Sequence, residues 1–386
     1  MAIQTTTIPL VGNPTRRAHM NASTQTKDQR YAGCFFEQAP SPLSQQKPIF
    51  VSKRSGFVTF DTPAAGAAGG LAFYSISLSA VFGAFDGAGA TENVYRTTTA
   101  GVSTLVGNVS AKVTHFSEAV VSGVTHIMIT AADGSGWFFA SDAAGNLAYT
   151  ADGNNSTTIT DIKVGGVPSV AGLYPGQKLT AATNITAGSR IVSIDAAAFS
   201  AVLDTATTGG AFNDLAITKE PVAKINDADF PTDIIGEFSQ LNGFTYVMDD
   251  DGNIYNSDLN SVTSWNPANL ALANAYPDTG RGVIRHKNMI AAFGSNSVEF
   301  FYHSANSTFG SPLMRSQESI NSIGAKLGSS NQVMYCNGHG AVFFIGEDYN
   351  LYMLDGASAK KITDSPFTTT IFFGALTAFS TMRKRF

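Results

Sequence analysis

The chain has 386 residues and a mass of 40.5 kDa, with 44% hydrophobic residues but only 14% Asp, Glu, Lys or Arg, where an average globular protein carries roughly 25% charged residues. Low charge together with 27 Phe excludes intrinsic disorder, and the lack of any run of about 18 apolar residues excludes a membrane-spanning helix. The net charge of −5 is unevenly spread: residues 1–54 sum to +5, residues 55–355 to −14 and residues 356–386 to +4. Basic ends of this kind are either short solvated charge runs or contacts to an acidic neighbour or nucleic acid. Length alone suggests two or three domains. The two cysteines, Cys34 and Cys336, stand 302 positions apart and make neither a disulfide framework nor a zinc site. No basic-then-apolar leader opens the sequence, so folding is expected in a reducing cytoplasm.

Residues 1–30 are polar, rich in Thr, Gln and Asn, and show no hydrophobic period. They are expected to form an extended arm. From about residue 50, short apolar or alternating runs are separated by Gly, Asp, Asn and Ser, the pattern of an all-β domain. One helical turn is expected near residues 267–275. Four stretches read as strand, tight turn and second strand. They are Trp137-Phe138-Phe139-Ala140 into Asn146-Leu147-Ala148-Tyr149, Phe244-Thr245-Tyr246-Val247-Met248 into Asn253-Ile254-Tyr255, residues 289–293 into Val298-Glu299-Phe300-Phe301, and residues 341–345 into residues 350–354. Each is expected to be a β-hairpin. The copies starting at Phe244, Met289 and Ala341 lie 45 and 52 residues apart. A period of about 40–50 residues with several strands per unit points to propeller blades rather than a sandwich.

Phe244 stands 107 positions after Trp137, and the stretch between them breaks the series. They contain Gly176-Gln177-Lys178-Leu179, a turn at Ala187-Gly188, the alternating run Ile191-Val192-Ser193-Ile194-Asp195, then Ala201-Val202-Leu203 and Leu215-Ala216-Ile217-Thr218. This order resembles a small β-module embedded in phage structural proteins. The expected division is an N-terminal arm and first strand at 1–50, propeller at 51–162, an inserted small β-module at 163–222 and propeller at 223–386. Insertions sit at exposed loops, where they cost little.

Few residues invite chemistry. Asp249-Asp250-Asp251-Gly252-Asn253 has the carboxylates of a calcium loop, with Asp249 and Asp251 as candidate ligands, but it lacks the twelfth-position Glu and suits a hairpin turn. Ser257-Asp258 with Thr263-Ser264-Trp265 echoes the Asp-box of sialidase propellers, whose role is structural. A sialidase site also needs clustered arginines to bind a sugar carboxylate; the body offers Arg96, Arg190, Arg281, Arg285 and Arg315. The histidines at 19, 115, 126, 286, 303 and 339 are scattered without metal-ligand spacing. No Gly-x-Ser-x-Gly elbow occurs, and Ile323-Gly324-Ala325-Lys326 lacks the rest of a phosphate loop. The aromatics are explained by core packing. No catalytic, cofactor-binding or metal residue is assigned, and the chain is expected not to be an enzyme.

From Gly243 to about Thr370 the sequence carries an ordered set of fragments. They include Tyr255-Asn256-Ser257-Asp258-Leu259, Tyr276-Pro277-Asp278, Gly294-Ser295-Asn296-Ser297-Val298-Glu299-Phe300-Phe301-Tyr302, Val342-Phe343-Phe344-Ile345-Gly346, Leu351-Tyr352-Met353-Leu354 and Lys361-Ile362-Thr363. In that order they resemble the packaged-DNA stabilisation family, the tail-hub or nozzle proteins of short-tailed phages. Arg30-Tyr31 through Cys34-Phe35-Phe36-Glu37 and Lys53-Arg54-Ser55-Gly56-Phe57 resemble its opening, with Gly33 in place of an Asn and Ser55 in place of a Pro. The resemblance implies a propeller-containing ring, a homohexamer below the portal and adaptor, surrounding the DNA exit channel and supporting a needle, fibres or spikes. Family members continue with further strands. Here Ile371-Phe372-Phe373 and Arg383-Lys384-Arg385 come last, so closure is expected either from N-terminal strands or with an incomplete final blade.

The reading is a virion tail protein, assembled in the host cytoplasm, with a mechanical role and no cofactor. An acidic channel wall would repel DNA phosphates and let DNA slide without sequence-specific binding. The arm at 1–30 is expected to dock on the adaptor or a neighbouring subunit. The alternative is a glycan-binding or glycan-cleaving propeller at the tail tip, which would need convergent arginines or paired carboxylates.

Overall fold

A computed structural model describes residues 34–38, 49–53 and 69–362, apart from 88, 144–146, 305–309, 318, 329–332, 334, 339 and 340. The expected arm at 1–30 and the basic Arg383-Lys384-Arg385 lie outside the described residues. The chain divides into two compact units, Met1–Phe60 and Asp61–Phe386. In the first, β1 (Cys34–Gln38) and β2 (Ile49–Lys53) pair antiparallel, from Cys34↔Lys53 to Gln38↔Ile49.

The second unit is built from four-stranded antiparallel sheets in chain order. The first holds β3 (Gly69–Ser75), β4 (Ala80–Asp86), β5 (Glu92–Thr98) and β6 (Ser103–Val109). The second begins with β7 (Val113–Val121), β8 (Val124–Ala131) and β9 (Gly136–Ala140). Before it is completed the chain makes β10 (Tyr149–Asn154), β11 (Thr158–Val164), β12 (Val167–Pro168), β13 (Gln177–Ala181), β14 (Ile191–Asp195) and β15 (Ser200–Leu203). The long β16 (Ala211–Lys224) then returns, and its last residues supply the fourth strand through Val222↔Phe139, Ala223↔Phe138 and Lys224↔Trp137. The third sheet is β17 (Ile234–Leu241), β18 (Phe244–Asp249), β19 (Asn253–Ser257) and β20 (Trp265–Leu272). The fourth is β21 (Gly280–His286), β22 (Met289–Gly294), β23 (Val298–His303) and β24 (Leu313–Arg315). The fifth is β25 (Tyr335–Gly338), β26 (Ala341–Ile345), β27 (Leu351–Asp355) and β28 (Ser358–Lys361).

Alternation along the strands explains how the sheets stack. Side chains point to opposite faces at successive positions, and here both faces are apolar. Trp137 and Phe139 pack with Phe82, Val94 and Val106 of the first sheet, while Phe138 and Ala140 pack with Phe238, Val247 and Trp265 of the third. Tyr246 and Met248 meet Ile290 and Ala292; Ala291 and Phe293 meet Phe344 and Tyr352. Each core therefore lies between consecutive sheets, which is the propeller arrangement. Two-residue turns set the register where φ must be positive. Ser122-Gly123 (φ 50° and 81°) joins β7 to β8, and Asn242-Gly243 (φ 52° and 83°) joins β17 to β18.

Three of the four expected hairpins are present: β18 with β19, β22 with β23 and β26 with β27. The fourth is not. Trp137–Ala140 lies in β9, a third strand between β8 and β16, and Tyr149 opens β10, which pairs with β11 and β16. An apolar run followed by a Gly/Asp turn looks the same whether the chain turns back or leaves the sheet. The helical turn expected at 267–275 is also absent. Those residues belong largely to β20, paired Tyr255↔Leu270 and Asn253↔Leu272. Pro267 is tolerated because β20 is the sheet's outer strand and its missing N–H deprives no neighbour.

Strands β10 to β15 and the first part of β16 surround a core of their own, including Tyr149, Ile159, Ile162, Leu179, Ile191 and Ile217. No helix among the described residues is long and apolar enough to cross a membrane.

Candidate functional site

The first strand of each sheet has one edge without a partner strand, and such edges need other hydrogen bonds. Side chains supply them here. Gln240 on β17 donates to the Val120 carbonyl (2.7 Å) and accepts from its N–H (3.0 Å). Ser75 and Ser77 both donate to the Glu118 carboxylate on β7. Tyr335 on β25 accepts from the Glu237 N–H (2.9 Å) and donates to the Val283 carbonyl (3.2 Å). Its ring lies 6.0 Å from His115 and 5.3 Å from Phe293. One tyrosine thus touches the first strands of the second, third and fourth sheets. Gly236 and Gly282 make room for it: a Cβ at either would stand 2.5 or 2.7 Å from the Tyr335 hydroxyl.

The turns between second and third strands gather at one end. The links between sheets meet them there, through Ser110 to Asp133 (2.7 Å), Ile234 N–H to the Gly134 carbonyl (3.3 Å), Gly280 N–H to the Asp250 carbonyl (2.7 Å) and Ala325 N–H to the Gly294 carbonyl (3.0 Å). At this end an aspartate braces each of several turns. Asp249, buried, accepts the Asn253 N–H (2.8 Å), the Asn253 amide (2.7 Å) and the Tyr255 hydroxyl (3.2 Å). Asp348 accepts the same three groups from Asn350 and Tyr352, at 3.1, 2.6 and 2.7 Å. Burial pushes the Asp348 carboxyl up, but the bonds from Tyr352 and Asn350 outweigh it and hold it below the usual range. At Asp133 burial is likewise outweighed by Ser135 and Ser110. Asp278 accepts from Asn296 N–H (2.7 Å) and Ser297 (3.3 Å). The oxygens that a calcium reading of Asp249 would need free are turned to their own hairpin, and Asp251 is an exposed residue of the same turn. The signal for this brace, an Asp followed by Asn-x-Tyr at the start of a strand, was present at both 249–255 and 348–352 and was missed.

These carboxylates make the end acidic. Asp86, Asp133, Asp233, Asp250, Asp251, Asp278, Glu347 and Asp348 lie in its turns and links, with Lys112, Lys224, Arg281, Lys326 and Lys361 among them. Lys326 is itself paired with Glu347 at 3.0 Å. A cleft of about 230 Å³ opens here between the second and third sheets, lined in part by Thr114, Asp133, Asp233 and Asp250.

The other singled-out residues do not converge. Ser264 donates to Asp258 (2.6 Å), Trp265 donates to the Val262 carbonyl (3.1 Å), and the Trp265 ring packs edge-on to Phe230; the Asp-box-like segment braces the turn before β20. Arg190 stacks on Trp137, Arg281 faces Glu347 at 3.6 Å, Arg285 bonds the Lys287 carbonyl and Arg315 pairs with the buried Glu299 at 3.2 Å. No three of them face a common pocket among the described residues. His126 bonds the Val124 carbonyl, and burial lowers the pKa of both His126 and His286. His19 and His339 lie outside the described residues.

Where β10 to β16 join the second sheet, Tyr174 donates to both oxygens of Asp142 and Lys219 donates to the Gly172 carbonyl. Burial pushes the Lys219 ammonium down to about 8, partly offset by Asp142. On the same strands Asp152, Asp161 and Asp214 bring carboxylate oxygens within 4.8 Å of one another. Lys163 occupies that cluster, 2.5 Å from Asp161 and 3.2 Å from Asp214.

No curated protein matches the sequence. Among solved structures, human WBSCR16 is 7% identical over 74% of this chain and 65% of its own, with a TM-score of 0.37. Apo AztD from Citrobacter koseri is 12% identical over 78% of this chain and 74% of its own, with a TM-score of 0.33. A putative 6-phosphogluconolactonase from Bacteroides fragilis is 10% identical over 76% and 82%, with a TM-score of 0.34. The chain thus spans less than two thirds of the first of these, and likenesses this remote do not bear on activity. The sequence itself is more specific. Residues 182–368, from the link between β13 and β14 to just past the fifth sheet, match the phage-stabilisation family described as "Bacteriophage P22 Gp10, beta-propeller". Over these residues, a little under half of the chain, the sequence is similar to that phage-stabilisation family, and the stacked sheets described above share its β-propeller fold.

Proposed function

We propose that the protein forms a hub or nozzle ring of the tail below the portal and adaptor, whose channel passes DNA during ejection and helps retain it before. The observation that carries this reading is the collection of carboxylates at one end of the propeller, around Asp233, Asp250 and Asp251. A wall of that sign repels phosphates, while a basic wall would hold DNA by counterion release. Tyr335 ties together the first strands of three sheets, and we read the passage as running between copies of the chain rather than through one. The segment 163–222 is read as a module carried at the rim, and the arm at 1–30 as a contact to the adaptor or a neighbouring copy. Among the described residues no convergent arginine set favours the glycan-binding alternative.

Electron microscopy of the purified protein tests the reading. A closed ring, expected to be sixfold, with the acidic turns at its lumen supports it. A stable monomer at all concentrations, or a ring with those turns outermost, overturns it.

A further inference from the structure

The segment joining β12 to β13, residues 169–176, lies as a strap where strands β10 to β15 meet the second sheet. Both of its ends are tied. The Ala171 carbonyl accepts the Tyr149 hydroxyl (2.6 Å) and the Gly172 carbonyl accepts Lys219; Gly176 donates to the Ile191 carbonyl (2.7 Å) and accepts from the Lys224 N–H (3.1 Å). Between those ties Tyr174 reaches back to the propeller. Its hydroxyl donates to both oxygens of Asp142 (2.8 and 2.7 Å), and its ring stands edge-on to Phe138 at 5.7 Å and to His126 at 6.4 Å. His126 is buried, with its ring 5.9 Å from Phe138. Its Nδ1 lies 3.1 Å from the Val124 carbonyl. A carbonyl only accepts, so Nδ1 carries the hydrogen and a further proton must enter at Nε2. Across the sheet His126 pairs with Ala119 on β7 and Ala140 on β9, and the core that Phe138 shares with the third sheet adds Phe238, Val247 and Trp265, all uncharged. The charge that acts on the ring is Asp142, which itself faces Tyr149, Tyr174 and Lys219. Burial holds the imidazole below its ordinary value of 6.5, against the opposing pull of the Val124 carbonyl and Asp142.

We propose that the strap is an acid-released latch. While His126 is neutral, the Asp142 carboxylate is left to Tyr174; when His126 gains a proton it draws that carboxylate to itself, and the middle of the strap lifts from Phe138 and His126. Because the folded state disfavours the charged ring, the latch has its full strength above the unfolded value of 6.5 and weakens as the pH falls through the lower folded value. Gly172 and Gly176, with φ of 74° and 86°, flank the part that moves. The inference concerns one chain and is independent of the ring.

Hydrogen exchange on the full chain, read by mass spectrometry at about pH 7.5 and about pH 5 and scaled to the unstructured rate at each pH, tests it. In the wild type the amides of residues 173–177 should lose protection toward acid, by at most about tenfold per pH unit, the slope for one proton, while β22 keeps its own. His126→Phe, whose ring packs but takes no proton, should remove that acid step. His126→Gln is the second neutral variant, used if the first leaves β22 unprotected at the higher pH. Tyr174→Phe, which lacks the hydroxyl, should lower protection of the strap already at the higher pH and shrink the step. Equal strap protection at both pH values in the wild type overturns the proposal. So does an acid step that persists in a folded neutral variant, or one that β22 shares, which would be unfolding of the whole unit.

Discussion

Asp249 and Asp348 hold the ends of two hairpins with the same three donors, an Asn N–H, the Asn amide and a Tyr hydroxyl. A buried acceptor so satisfied costs about 1–3 kcal/mol when its partners are stranded. Asp249→Ala is therefore expected to lower stability by that order in denaturant unfolding. Adding calcium or a chelator should leave the wild-type midpoint unchanged, since the carboxylate already has its donors; a calcium-dependent rise would show a metal site instead. Lys219 gives a second test. Its folded pKa of about 8 lies below the ordinary lysine value because burial penalises the charge. Below pH 8 both folded and unfolded states are protonated and the penalty is complete. Between about 8 and 10 the folded lysine releases its proton before the unfolded one, so stability should rise with pH. Above 10 the buried Tyr149, raised by burial to about 12, turns the slope downward. Lys219→Met should flatten the rise and keep the fall.

At the scale of elements, β16 does two jobs. Its first residues pair with β10 and β13, and its last three complete the second sheet. The crossing point is tight. A Cβ at Gly176, which has φ +86°, would stand 1.7 Å from the Lys224 carbonyl oxygen. Gly176→Ala must displace backbone and adopt a conformation alanine rarely takes. It is expected to destabilise the protein more than Gly165→Ala, where φ is also positive but no atom lies within 4 Å. Circular dichroism melts of the two variants separate steric from conformational cost. Phe139, fully buried between the first and second sheets, provides the packing benchmark: Phe139→Ala should cost about 3–5 kcal/mol.

For the whole molecule, charge sorting is the property with a functional consequence. The −14 of residues 55–355 is not uniform, because turns use aspartate and the turns between second and third strands share one end. Replacing Asp233, Asp250 and Asp251 with Lys should convert a surface that ignores duplex DNA into one that binds it with a steep salt dependence. Gel shifts at two salt concentrations measure this. Wild-type binding as strong as the variant's would remove the acidic wall from the mechanism.

Strand identity, the repeat of about 40–50 residues and the resemblance to the phage-stabilisation family were legible in the sequence. They rest on local pattern: two-sided apolar runs, Asn-Gly turns and ordered fragments such as Val342-Phe343-Phe344-Ile345-Gly346. Pairing across distance was not legible. Trp137–Ala140 reads like the first strand of a hairpin, yet it is a third strand whose next partner lies some eighty residues on, in Val222–Lys224. Residues 267–275 read as helix because alanine favours it, but hydrogen bonds to β19 outweigh propensity. Likewise Tyr335, one tyrosine among 12, is distinguished only by the three first strands that converge on it. Residue order determines which segments extend and where they turn; which edges and faces they meet depends on the packing of sheets far apart in the chain.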